Sequence, residues 1–317
     1  MKSAKPHKNQ LHFVGGIDNG FGNYKLLLEE HPLIVVPSYL SEEKMESVPG
    51  RVRIGEREFT VGDSARRTGR YYSRNVDDAA SKIQYALPML LGALAHLPHR
   101  KEWRLQIAAS IHDCDNLKQK LIEALSGEHE CILSGYASKV CVRVVKVLPE
   151  GMGALVGTPL PGKLTLLDFG TGTTLFSRYS QGKREIHEPF PCGVEHLIEL
   201  ISKEMKAIND GLPGDRYLIR LGLENGTFCY GRKQSFKSIY KKCLSEWFEN
   251  YLRKTVGRAK EAYEQGDQVW CIGGGCLLPG FGQSLTKIGF RVHESPMEAN
   301  VRGLLLVAHQ IGRQVEV

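Results

Sequence analysis

One short pattern occurs twice. Asp18-Asn19-Gly20-Phe21-Gly22 and Asp168-Phe169-Gly170-Thr171-Gly172 each place an aspartate at the end of an apolar run, with two glycines in the turn that follows. Each turn leads into a second apolar run, through NYKLLLEE in the first copy and TTLFSRY in the second. Strand, glycine turn, strand is the local reading, because glycine adopts backbone shapes that other residues resist. One match would carry little in a chain with 34 glycines. Two matched turns, one on each side of the aperiodic segment GTPLPGK (Gly157 to Lys163), predict a duplicated α/β lobe with a cleft between the copies. A chain of 317 residues is long enough for two such lobes.

The remaining pattern fits this division. HPLIVVPSYL reads as a strand, and GRVRIGEREFTVGDSA as a hairpin turning at Gly55. Residues 77–96 read as a helix restarted at Pro88, RLQIAASI as a strand, and NLKQKLIEALSG as an amphipathic helix ending near Gly127. KVCVRVVKVLPEGMGAL runs from a strand through a Pro-Glu-Gly turn into small residues that begin a helix. In the second half, helices are expected over 194–208, 238–265 and the closing ANVRGLLLVAHQIG, with QVWCIGGGCLLPGF as strand, glycine turn and helix start.

Several classes fall away on composition. The longest apolar stretch, Tyr85 to Leu97, is broken by Pro88 and is too short to span a bilayer. MKSAKPHKNQ has no apolar h-region, so a secretory leader is not expected and a cytoplasmic protein is. The eight cysteines form no C-x-x-C pair and lie largely in apolar runs, which predicts reduced, structural thiols. Lys and Arg exceed Asp and Glu by 42 to 35, a net +7, without a basic stripe carrying interleaved aromatics. Direct nucleic-acid binding is therefore disfavoured.

Glycine turns between strands let phosphate oxygens approach the backbone, and an aspartate at each strand end suits Mg²⁺, directly or through water. Lys25 reaches a phosphate from the first turn, and Thr173 and Thr174 offer hydroxyls in the second. Taken singly, the first turn fits an ordinary hairpin as well; the second copy tips the balance. No G-x-x-x-x-G-K-[ST] is present, and the first turn lacks G-x-G-x-x-G spacing and leads into a strand, so neither a P-loop nor a Rossmann site is expected.

These residues carry a resemblance. Asp18-Asn19-Gly20-Phe21-Gly22-Asn23-Tyr24-Lys25 is similar to the first phosphate loop of the actin superfamily, and Leu167 to Thr174 to the second. Ile272-Gly273-Gly274-Gly275 resembles the adenosine motif of the superfamily shared by actin, Hsp70 and sugar kinases. Within it, Val147-Leu148-Pro149-Glu150 and Ala299-Asn300-Val301-Arg302-Gly303 most resemble the ParM/StbA plasmid-segregation actins.

The resemblance implies an α/β fold of two RNase H-like lobes with Mg-ATP, or Mg-GTP, in the cleft. Lobe I would comprise 11–156 and 296–317 with a small subdomain at 32–80; lobe II would comprise 163–295 with one at 196–261, after a flexible tail at 1–10. Asp18 and Asp168 would organise Mg²⁺ through water. Gly20, Gly22, Gly170, Gly172 and Thr173 would cradle phosphates, Lys25 would contact them too, Gly273 and Gly274 would lie against the adenosine, and Asn19, Phe21, Asn23, Thr171 and Gly275 would belong to the same nucleotide-binding set. Glu150 would orient the attacking water, although by itself a glutamate after a proline also fits a solvated helix start. Phe21 stands where relatives often carry a small hydroxyl residue that touches the terminal phosphate, and Thr171 where many carry glycine or an acid. The implied function is a nucleotide-hydrolysing protein that polymerises into filaments and separates DNA through a ParR-type adaptor, without contacting DNA or membrane itself. A small-molecule kinase of the same fold and an MreB-like scaffold are the alternatives. No Cys/His zinc motif supports the former, and the N-terminal tail has almost nothing apolar to insert for the latter.

Overall fold

The apolar run ending at Asp18 forms β1 (Phe13–Asn19), whose side chains are buried on both faces, as a strand inside a covered sheet requires. The glycine turn returns the chain as β2 (Asn23–Leu28), antiparallel to β1, and β3 (Ile34–Pro37) continues the meander. A computed structural model describes residues 12–43, 48–68, 71–74, 80–157, 162–231 and 234–315. The tail at 1–10 and most of the GTPLPGK segment fall outside them.

The stretch read as one strand after His31 is two, since β4 (Tyr39–Ser41) leaves β3 and pairs with β6. The expected hairpin is β5 (Arg51–Ile54) and β6 (Arg57–Val61), turning at Gly55 with φ +57°. Helix α1 (Asp63–Thr68) and the short β7 (Ser73–Arg74) follow. Where one helix over 77–96 was expected, the described part forms α2 (Ser81–Gln84) and α3 (Ala86–Leu94). The break falls at Tyr85 rather than at Pro88, which sits in the first turn of α3, where a missing N–H removes no helical bond. Then come β8 (Glu102–Ile111), α4 (Cys114–Leu125), β9 (Gly127–Leu133) and β10 (Tyr136–Pro149). The helix expected after Pro149 is a single 3₁₀ turn, Met152–Leu155.

A second sheet is built from β11 (Lys163–Phe169), β12 (Thr174–Ser180), β13 (Lys183–Phe190), β16 (Gln268–Ile272) and β17 (Arg291–Val292). Between β13 and β16 lie α5 (Val194–Glu204), α6 (Arg216–Glu224), the ribbon β14 (Cys229–Tyr230) and β15 (Gln234–Ser235), α7 (Lys237–Trp247) and α8 (Arg253–Glu264). The expected helix over 238–265 is thus interrupted by a π turn at Phe248–Leu252. Helix α9 (Phe281–Lys287) precedes β17, and α10 (Ala299–Val315) closes the described chain.

The two sheets repeat one plan. The first contains β3-β2-β1-β8-β10, and the second runs β13-β12-β11-β16-β17. In each, three antiparallel strands are followed by strands parallel to the first. The repeat seen in the sequence is therefore a repeat of topology. The chain divides into two compact units, Met1–Gly157 with Asn300–Val317, and Thr158–Ala299.

In the first unit α10 lies backbone-to-backbone on β1: a methyl group at Gly16 would lie 2.5 Å from the Val301 carbonyl oxygen and 2.7 Å from Leu305 N. The second unit packs Phe169 edge-on to Phe281 and Trp247 against Phe281. All eight cysteines are free thiols. Burial pushes Cys131 up to about 11 and Cys243 to about 12, which keeps both protonated at neutral pH. No helix among the described residues is long and apolar enough to cross a membrane.

Candidate functional site

Three parallel strand ends meet in the first unit. Asp18 on β1 pairs with Ser110 on β8, and Leu148 and Pro149 on β10 pair with Ser110 and Ile111, so Glu150 emerges beside the aspartate. Glu150 N donates to the Ile111 carbonyl, and Gly151, at φ +80°, turns the chain away immediately after it. Ligands of open α/β sheets gather outside the carboxyl ends of parallel strands, which is where this group lies.

Asp18 is 5% exposed and held from three sides. Lys25 Nζ donates to its Oδ2 at 2.6 Å, while Asn300 Nδ2 at 3.0 Å and Ser110 Oγ at 3.2 Å donate to Oδ1. Burial alone would raise this carboxyl; Lys25 and Asn300 outweigh it and hold Asp18 below its ordinary value. Asn300 does more, donating also to Ser110 Oγ at 2.9 Å and accepting from Gly153 N at 2.9 Å. The first glycine turn is fixed by Ser38, which donates from Oγ to the Gly20 carbonyl and from N to that of Gly22. Gly20 has no room for a side chain, since a Cβ would lie 2.6 Å from the Asn23 carbonyl oxygen.

Behind this turn stands Lys82, at 0% exposure. Its carbonyl accepts from Asn19 Nδ2 at 3.0 Å, its Nζ lies 3.6 Å from the centre of the Phe21 ring, and Glu150 Oε2 is 3.5 Å away. Neither Lys82 Nζ nor Glu150 Oε2 makes a hydrogen bond among the described residues. Burial lowers the Lys82 ammonium and raises the Glu150 carboxyl, and their mutual attraction opposes both shifts. His112, its ring centre 5.1 Å from that of Phe21, is pushed down to about 4 by burial and by Lys82, and is neutral at pH 7.

In the second unit, Asp168 near the end of β11 pairs with Ile272 at the end of β16. Gly273 follows at φ +90°, and a Cβ there would strike Asp168 Oδ1 and the Phe169 carbonyl. Gly275 is equally confined, a Cβ lying 2.7 Å from that of Phe169, whereas Gly274 is open, with nothing within 4 Å. Gly170 N donates to the Thr173 carbonyl at 2.9 Å. The carbonyls of Gly170, Thr171 and Gly172 accept from Val194, Glu195 and Gly193 N, so the start of α5 is bolted to the turn.

The comparisons with known proteins fall on this framework. Residues 16–153 match the model of the actin-like proteins' N-terminal domain. The fold is also that of several solved ParM structures. A non-polymerisable quadruple mutant of pCBH ParM superposes with TM-score 0.73 at 19% identity, over 95% of this chain and 100% of that one. A ParM in a 15-stranded filament from Clostridium botulinum gives 0.72 at 18% identity, over 95% and 100%. Bacillus thuringiensis ParM with AMPPNP gives 0.70 at 16% identity, over 95% and 99%.

The fold is that of the actin-like proteins.

No curated protein sequence matches the chain. The resemblance drawn from the glycine turns thus holds at the level of an actin-like α/β fold. Of the expected site residues, the actin-like first unit brings together Asp18, Asn19, Phe21, Lys25 and Glu150, with Gly20, Gly22 and Asn23 forming the turn. The second brings together Asp168, Gly170, Thr171, Gly172, Thr173, Gly273, Gly274 and Gly275. Sequence reasoning missed Lys82, Ser110, Asn300 as a ligand of Asp18, and Gly193, whose Cβ would strike the backbone of Thr171 and Gly172. A signal existed for Asn300 in the ANVRG motif; Lys82 carries none.

Proposed function

We propose that this actin-like protein binds and hydrolyses ATP, with GTP as the alternative nucleotide, and assembles into filaments. The filaments would separate DNA in the cytoplasm through a DNA-bound adaptor of ParR type. The observation that carries this reading is the buried group of Asp18, Lys25, Lys82 and Glu150 against a side-chain-free glycine turn, on a fold shared with ParM. Two ammonium groups beside a turn that admits close backbone approach suit a polyanion, and two carboxylates suit a hydrated divalent cation. Relatives on this fold are ParM proteins with AMPPNP, with ADP and with ATP.

The residues fit Mg²⁺ in one way only. Both oxygens of Asp18 already accept hydrogen bonds, and among the described residues no three His, Cys, Asp or Glu side chains are grouped to hold a metal. A Mg²⁺ here would keep most of its waters and meet Asp18 and Asp168 through them. When bound, it would neutralise charge on the phosphate oxygens. The chain's own groups do the rest. Lys25 pairs with Asp18 and counters phosphate charge, and the turns at Gly20–Gly22 and Gly170–Thr173 receive phosphate oxygens. Gly273 to Gly275 admit the nucleoside. Glu150 Oε2, without a hydrogen-bond partner, accepts from the attacking water and orients it. Filament contacts are assigned to residues 32–80 and 196–261.

Light scattering and pelleting with ATP and with AMPPNP, alongside phosphate release, test the proposal. Polymer that forms with either nucleotide, and phosphate release that needs no acceptor, support it. A protein that stays monomeric and consumes ATP only when a small-molecule acceptor is added sinks it in favour of a kinase.

A further inference from the structure

β10 does not alternate evenly on its way to Glu150. In its first half the buried side chains fall at even positions, Ser138, Val140 and Val142; beyond them the buried one is odd, Val147. Side chains of a strand alternate with a period of two, so a change of parity requires one residue that the ladder does not count. That residue is Val145. Val144 pairs with Ile107 and Lys146 with Ala108, which are neighbours on β8, so Val145 is the surplus residue of a β-bulge. The sequence carries the same break, since the alternation of VCVRV ends at the Val144-Val145 pair. Of the parallel ladders among the described residues this is the one with a break; β1 with β8, β11 with β16 and β16 with β17 pair without one.

Beyond the bulge Leu148 pairs with Ser110 and Pro149 with Ile111, which brings Glu150 out level with Asp18, itself paired with Ser110. Had the ladder run on without it, Val147 would stand beside Ser110 and Leu148 beside Ile111. Glu150 would then lie one residue, about 3.3 Å, further along the strand, with its side chain on the other face. The bulge is also clamped. Val144 turns to the core of the first unit, whereas Val145 packs with Leu148 on the opposite side, against Ala108, Leu304 and Ala308. Leu304 and Ala308 belong to α10, the helix whose first turn supplies Asn300 to Asp18. One helix thus grips the aspartate and, in its next turns, the bend that precedes the glutamate.

We infer that the Val145 bulge, held by α10, is what aims Glu150 at the site, and that Val145 is a positioning residue for the carboxylate that orients water. This rests on the nucleotide reading given above. Bulges bend a strand and raise its twist, and so re-aim the side chains that follow. Val145 acts through Glu150 alone, so its loss falls on the rate of phosphate release and leaves nucleotide affinity in place.

Deletion of Val145 is the test, because every pairing of β10 with β8 survives it and only the bend is lost. Phosphate release from ATP and affinity for AMPPNP, each with Mg²⁺, are measured on the native protein, on the deletion variant and on Glu150→Ala. A misplacement of about 1 Å costs about 10²-fold in rate, so the deletion should slow release about ten- to a hundredfold, with AMPPNP affinity within about twofold of native. Release at the native rate in the folded deletion variant, or an equal loss of affinity, overturns the inference and leaves the nucleotide reading standing. A native protein that releases no phosphate overturns both. Native release in Glu150→Ala removes the carboxylate that Val145 would serve, and the inference with it. Should the deletion variant not fold, Val145→Ala and Val145→Ile decide. The first empties the contact with the α10 cluster and should slow release at unchanged affinity; the second keeps a β-branched side chain there and should release at the native rate. Equal rates in the two refute the assignment.

Discussion

Asn300→Ala removes a side chain that is 5% exposed and makes three hydrogen bonds in the first unit: one to the ionised Asp18, one to Ser110 and one from Gly153 N. Two neutral bonds contribute about 0.5–1.5 kcal/mol each and one to a charged group about 1.5–3, so the variant should lose about 2.5–6 kcal/mol of stability. Asp18 also loses a donor that holds its pKa down. Its stabilising contribution is present above the ordinary carboxylate value of 3.8 and drains away as the pH falls through its lower folded value. The deficit of the variant should therefore be larger at pH 7 than at pH 3. Urea unfolding followed by circular dichroism measures the loss, and hydrogen exchange by mass spectrometry locates it. Protection should fall along β1, β8 and the 3₁₀ turn at Met152–Leu155, and persist along β11 and β16. A loss below about 1 kcal/mol, or equal loss of protection in β11, would refute the reasoning.

Other expectations follow from the same geometry. Glu150→Ala should slow phosphate release by about 10²-fold or more while pelleting with ATP persists; release at the native rate removes Glu150 from the reaction. Asp168→Ala should weaken nucleotide binding in Mg²⁺, and unchanged affinity in a Mg²⁺ titration speaks against its role. Gly273→Ala forces a Cβ at φ +90° against Asp168 and Phe169, and should destabilise the second unit by about 1–3 kcal/mol in urea unfolding. His112 takes up its proton near pH 6.5 in the unfolded chain and near 4 in the folded one. Its contribution to stability is complete above about pH 6.5 and is lost as the pH falls to about 4. His112→Gln should flatten the decline of melting temperature across that interval; an identical decline excludes the assignment.

What could be read from the sequence is what is local to it. The aspartates ending β1 and β11 were legible because a buried run, an acid and spaced glycines are contiguous, and Glu150 because Pro149 and Gly151 bracket it. The hairpin at Gly55 was legible from alternation. The helix over 77–96 was placed but not its break, because propensity is continuous through Tyr85 while packing is not. Lys82 was invisible for a related reason. A lysine five residues before Leu87 and the apolar stretch that follows reads as a solvent-facing residue, and only the approach of β1, β10 and Phe21 from distant positions turns it inward. Ser110 and Asn300 reach Asp18 across sequence separations of 92 and 282, a relation no local pattern encodes.

The route of the chain has a consequence for how the molecule is made. The second unit is one uninterrupted segment, whereas the first is begun before it and finished only when residue 300 and those after it are added. On a ribosome, where domains tend to fold as units while synthesis proceeds, the second unit can settle while the first still lacks the helix that covers Gly16 and the amide that grips Asp18. A nascent chain therefore carries a glycine turn whose aspartate is not yet locked in place. The partner that locks it is translated 282 positions after the aspartate, so a chain stalled before Asn300 displays the motif without the buried network that gives it shape.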